Sequence, residues 1–76
     1  MEEKFIELFA ETLELEEDHG LTVETVFRDL EQWDSLAFLS VIAMIDEEFE
    51  VVIEGNDFQK LKTLGDIIRE INTLQS

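Results

Sequence analysis

The sequence predicts an all-α fold, a small four-helix bundle built from three main helices plus one short helix. Apolar residues recur at the helical period in three separate stretches, and two of those stretches open on residues suited to cap a helix N-terminus. The one strand-like run, Val51-Val52-Ile53, has no second strand with which to pair and reads as an extended connection. A chain of 76 residues has room for a single domain spanning 1–76, and no Pro, Gly/Ser-rich linker or internal repeat divides it.

From Glu2 to Leu15, Ile6, Phe9 and Leu13 fall at i, i+3 and i+7, with Phe5 and Leu8 widening the stripe. Glu3, Glu7, Glu11 and Glu14 take the other faces, and this first helix is expected to end between Glu16 and Gly20. Leu21 to Gln32 reads as a long connection pinned to the core by Val23, Val26, Phe27 and Leu30. Asp34 is a good N-cap for a second helix in which Phe38, Ile42, Ile45 and Phe49 recur at i, i+4, i+7 and i+11. Asn56 to Leu61 supplies a short helical piece after Gly55. Thr63 followed by Asp66 has the spacing of a capping box and opens a last helix with Leu64, Ile67, Ile68, Ile71 and Leu74 as its buried stripe. The predicted core is Ile6, Phe9, Leu13, Phe27, Leu30, Ile42, Ile45, Phe49, Ile53, Phe58, Leu61, Ile67, Ile68 and Ile71. Ala43 and Met44 are the expected points of softness between helices.

Composition narrows the function. Five basic residues against 20 acidic ones give a net charge of −15, while 45% hydrophobic residues suffice for a small core. Such a charge repels phosphate backbones and anionic lipid headgroups, so no nucleic-acid partner and no membrane insertion are expected, and natural partners should be basic. It also weakens the fold by self-repulsion. The absence of Cys removes disulfides, thiolate catalysis and Cys-ligated zinc. The start, Met1-Glu2-Glu3-Lys4, lacks the pattern of a secretory signal, and the longest apolar run, Leu36 to Ile45 broken by Ser40, falls well short of a membrane span. The expectation is a cytoplasmic, soluble monomer.

Catalytic constellations are weak. His19 is the single His and lies in a loop, where a solvated role is the ordinary one. No GxSxG elbow surrounds Ser35, and Asp46, Glu47, Glu48 and Glu50 form no calcium-loop pattern, so no enzyme activity and no metal site are expected.

The distinctive tract is Trp33-Asp34-Ser35-Leu36, at the junction of the long connection and the second helix, with Ser35 at the first helical position and its hydroxyl accessible. Followed by an apolar helix, by Asp46-Glu47-Glu48-Phe49 and by Thr63-Leu64-Gly65-Asp66-Ile67-Ile68, this tract closely resembles the acyl carrier proteins over nearly the whole chain. The resemblance implies a covalent 4'-phosphopantetheine arm on Ser35, delivered from coenzyme A and flanked by Asp34 and Leu36. It further implies that acyl or aminoacyl groups ride on the thiol of this arm between the enzymes of fatty acid, polyketide or specialised lipid biosynthesis. Ala37 stands where fatty-acid carriers usually show Asp, and Ser40 where they show Glu. Trp33 is more typical of specialised carriers, the D-alanyl and aminoacyl ones among them.

Between Arg28 and Lys60 lie nine acids and no base. Leu36, Ala43, Glu47 and Glu48 are therefore the expected partner contacts, offered to a phosphopantetheinyl transferase and to acyl-transfer or synthase enzymes with basic docking patches. The alternative from a different class is an acidic helical adaptor that binds a basic partner with no covalent cofactor.

Overall fold

The computed structural model describes residues 2–75 and orders them as α1 (Glu2–Thr12), a single 3-10 turn (Phe27–Asp29), α2 (Ser35–Phe49), α3 (Gly55–Phe58) and α4 (Leu64–Gln75). α1 packs against both α2 and α4. This is the expected four-helix arrangement of three main helices and one short one, and Val51 to Glu54 is an extended connection as read.

α1 stops a turn earlier than its apolar period suggests. Glu14 enters the left-handed region at φ 59°, Leu15 N–H reaches back to the Ala10 carbonyl at 2.8 Å, and Glu14 N–H to that of Glu11 at 3.0 Å. These two bonds form a Schellman closure with Glu where Gly is the usual occupant, so sequence alone gave no stop signal. Gly20, at φ 70°, makes the sharper reversal that follows.

The long connection is fastened by backbone as well as by side chains. Val26 and Thr63 form an isolated antiparallel bridge, Leu64 N–H donates to the Thr25 carbonyl at 3.1 Å, and Gly65 N–H to that of Val23 at 2.8 Å. A Cβ on Gly65 would sit 3.0 Å from that same carbonyl oxygen, which is why the chain carries Gly there. Phe27 is fully buried and Leu21 is buried at the start of the connection, but Val23 and Leu30 are only half-buried and Val26 is exposed, so the pinning rests on Leu21 and Phe27 more than on the residues the sequence named beside Phe27.

Asp34 caps α2 as expected, its side chain accepting from Ala37 N–H at 2.7 Å. The buried stripe is rotated from the predicted one: Ala37, Val41, Met44, Ile45 and Phe49 face inward, whereas Phe38 and Ile42 are half-buried. Apolar residues cover almost every face of this helix, so periodicity could not select which stripe turns inward. Ala43 is exposed, which removes it as a point of internal softness, while Met44 is buried. The Thr63–Asp66 capping box forms in both directions, Asp66 N–H to Thr63 Oγ1 at 3.1 Å and Thr63 N–H to Asp66 Oδ2 at 3.1 Å. In α4, Leu64, Ile67, Ile68 and Ile71 are buried, but Leu74 is exposed near the helix end.

Ten of the predicted core residues are buried; Ile6, Leu30, Ile42 and Leu61 are half-buried. Phe5, Val41 and Leu64, absent from that prediction, are fully buried. For α1 the error is one of phase, since the true stripe runs Phe5, Phe9, Ala10, Leu13 and leaves Ile6 at its edge. Leu30 and Leu61 flank buried aromatic residues in short irregular segments, where no helical period applies. No described charged or polar residue is buried.

Two outcomes follow from these helix ends. Glu14→Gly should raise stability by about 1 kcal/mol, the order of the left-handed cost that Gly avoids. Glu14→Gln, which removes only the charge, should recover less; equal gains in urea melts would assign the effect to charge instead. The backbone N–H groups of Lys62 and Thr63, with Arg69 beside it, hold the Asp66 carboxyl below its usual range. A depressed carboxylate stabilises the fold above its unfolded pKa, near 3.9, and that contribution is lost as pH falls through the lower folded value. The stability gap between wild type and Asp66→Ala should thus be largest at neutral pH and narrow in acid. A gap independent of pH would refute the charge-assisted cap.

Candidate functional site

Ser35 is the first residue of α2 and is exposed. Asp34 ahead of it is extended, at φ −153° and ψ −174°, and turns its carboxylate onto Ala37 N–H while its own carbonyl accepts from Phe38 N–H at 3.0 Å. That leaves the N–H groups of Ser35 and Leu36 without a hydrogen-bond partner among the described residues. The helix end therefore presents a hydroxyl, two free N–H donors and the positive end of the helix dipole to solvent.

Beside Ser35 is an open recess of about 360 Å³ whose apolar floor is Trp33, Phe38 and Phe58, with Arg28, Asp34 and Gln59 at its polar rim. Arg28 donates to the Phe58 carbonyl at 3.0 Å and to the Leu61 carbonyl, and its guanidinium lies over the Phe27 ring at 4.8 Å. It thereby ties the 3-10 turn to the α3–α4 connection directly opposite the start of α2. Trp33 stacks nearly parallel to Phe9 of α1 and to Phe58 of α3, each at 6.1 Å. The residue before Asp34 is thus anchored in two other helices, and the position of Ser35 is set by that anchor.

Along α2, Leu36, Ala43 and Glu47 come to one exposed face, as their spacing predicts, and Glu48 lies about 100° around the helix from Glu47. Leu36 is 72% and Leu39 61% exposed. Leu39 went unnoticed in the sequence, although it sits at i+3 from Leu36 and i−4 from Ala43, the arithmetic that identified its neighbours. Asp46 and Glu47 bound the acidic end of this strip. Arg28 also escaped sequence reasoning, because its partners are main-chain carbonyls more than thirty positions away.

His19 is half-buried, with its Nδ1 accepting from Leu21 N–H at 2.8 Å, so it shapes its own loop instead of standing free in solvent. Among the described residues no group of three His, Asp or Glu is arranged to hold a metal ion, and no helix is long and apolar enough to cross a membrane.

Residues 3–71 match the family described as the phosphopantetheine attachment site. An acyl carrier protein of Clostridium perfringens is 35% identical over 71 residues, covering 93% of this chain and 92% of the relative. One from Exiguobacterium sibiricum is 33% identical over 67 residues, covering 88% of this chain and 84% of that protein. The solution structure of holo acyl carrier protein from Geobacter metallireducens superposes with a TM-score of 0.81 at 24% identity, over 95% of this chain and 82% of that one, which shows the shared fold. The family match and these relatives favour the covalent carrier over the cofactor-free adaptor. The chain belongs to the acyl carrier proteins, which carry acyl groups on a covalent 4'-phosphopantetheine and catalyse no reaction themselves.

Proposed function

We propose that Ser35 is the attachment residue and that the exposed face of α2 is the docking surface for the enzymes that load and unload the carrier. The observation that carries the first part is an accessible hydroxyl at the one helix start where Asp34 caps the third N–H and leaves the first two free. Ser40, by contrast, is half-buried within α2. A phosphodiester on Ser35 Oγ would be an anion at a helix N-terminus, where the free N–H groups of Ser35 and Leu36 and the dipole favour it, so the residues fit the group. Asp34 acts as a positioning residue that holds the first turn, and Leu36 borders the attachment point on the docking side.

In the loading step, Ser35 Oγ forms a bond to the phosphorus of coenzyme A that bears the pantetheine. The bond from that phosphorus to the adenosine bisphosphate breaks, and the hydroxyl proton passes to a base of the transferase. When attached, the arm supplies a terminal thiol that holds acyl groups as thioesters. Because coenzyme A is the donor, we place the protein in the cytoplasm, and its charge of −15 opposes self-association and supports a monomer.

The docking part rests on Leu36, Leu39 and Ala43, an apolar strip bounded by Asp46 and Glu47, with Glu48 around the side. A phosphopantetheinyl transferase, acyl-transferase or synthase with a basic patch beside its active site would be steered onto it. Ala37 is buried, so a carboxylate in its place would not extend this strip without disturbing the core.

Incubation with coenzyme A, magnesium and a broad-specificity transferase should add the mass of one arm, mapped to the Ser35 peptide. Ser35→Ala should abolish the gain with unchanged helical circular dichroism, and an unmodified wild type beside a modified control carrier would overturn the reading. Reversal of Glu47 and Glu48 to Lys should slow loading about tenfold or more, mainly through association rate and less at high salt, whereas the same reversal at Glu3 and Glu7 on α1 should have little effect. Equal slowing by both pairs would show that only total charge matters.

A further inference from the structure

We infer that Trp33 closes the interior of the bundle beside Ser35, so that the cargo rides outside the core and is a short or polar acyl group and not a long aliphatic chain. This inference rests on the attachment of the arm at Ser35. A chain that folded back from Ser35 into the protein would enter through the recess beside it, whose floor is Trp33, Phe38 and Phe58. Beneath that floor Trp33 is nearly parallel to Phe9 and to Phe58, at interplanar angles of 9° and 4°, and meets Phe27 edge-on at 4.9 Å. Phe9, Phe27 and Phe58 are fully buried, so none can swing outward without leaving the core.

The rings are also held by the main chain around them. Arg28 lies over Phe27 and donates to the carbonyl of Phe58, so two of the three partners of Trp33 are braced by one guanidinium. Opening a channel would break the contacts of Trp33 with Phe9, Phe27 and Phe58 together. Planar side chains with two torsions do not adapt as an unbranched Met would. The rim, with Arg28, Asp34 and Gln59, offers polar partners to a cargo that stays at the surface.

The test loads the full chain with acetyl- or octanoyl-4'-phosphopantetheine from the corresponding coenzyme A thioesters. Attachment at Ser35 is verified by intact mass and peptide mapping before any other reading. Methyl NMR of Val41, Ile45, Ile67 and Ile71 and the rate of thioester cleavage by hydroxylamine then report on the core. In wild type the two forms should share core methyl shifts and cleavage rates within twofold. In Trp33→Leu the octanoyl form should move those methyls and cleave at least severalfold more slowly than its acetyl form. Core shifts and slowed cleavage in octanoyl wild type would overturn the inference, and this comparison stands whether or not Trp33→Leu folds. A folded Trp33→Leu that gains nothing would overturn the assignment to Trp33. Should Ser35 take up no arm, the attachment reading fails by mass alone, and with it the cargo inference. Closure itself is then read with dissolved benzene, which should shift core methyls in Trp33→Leu and not in wild type. Equal shifts in both would overturn it.

Discussion

All seven aromatic rings of this protein belong to one connected set of contacts, which joins α1, α2, α3 and the long connection, while α4, which carries no ring, packs against α1. Phe49 of α2 meets Phe5 of α1 at 6.1 Å, Phe5 meets Phe9, and Phe9 meets Phe27 of the long connection and Trp33 at the start of α2. Phe27 and Trp33 both reach Phe58 of α3, which receives Phe38 edge-on at 5.2 Å. Rings at offset or edge-on geometry contribute about 0.5–1.5 kcal/mol per pair beyond their buried area. In a domain this small, where the whole stability is of the order of 5–15 kcal/mol, such a network is a large share of what resists unfolding. It also carries positional information, because α3 is one turn long and has little packing of its own beyond Phe58.

The opposing constraint is charge. Twenty acids face five bases, and a single ion pair, Arg69 with Asp66, is found among the described residues. No charged side chain among the described residues is buried, so repulsion between them is confined to the solvated surface, where salt screens it. Two bases do other work: Arg28 braces carbonyls and covers Phe27, and Lys4 lies over Phe49 at 5.8 Å. The acids are thus left largely uncompensated, which preserves a strong negative field around the molecule at the cost of stability.

A carrier needs little from its own side chains beyond presentation. Asp34 ends the connection, starts α2 and satisfies one N–H with its carboxylate, while Trp33 fixes where that start lies relative to α1 and α3. The chemistry belongs to the cofactor and to the enzymes that meet it. The protein contributes the fold that carries the arm.

The sequence by itself determined the helix count, the caps and the motif, because these depend on near neighbours. Asp34 and Ala37, or Thr63 and Asp66, lie three positions apart and meet in any chain that begins a helix there. Trp33-Asp34-Ser35-Leu36 was likewise legible as a unit, and with it the family. Tertiary structure alone decided which stripe of α2 turned inward, because nearly all its faces are apolar and their period does not distinguish buried Val41 from half-buried Ile42. It also decided where α1 stopped, since a Glu in the left-handed region leaves no mark in composition. The pairing of Arg28 with the carbonyls of Phe58 and Leu61, and the nearly parallel contacts of Trp33 with Phe9 and with Phe58, bring together residues far apart in the chain. Contacts of that kind have no periodicity from which to be read, and they shape the surface on which Ser35 stands.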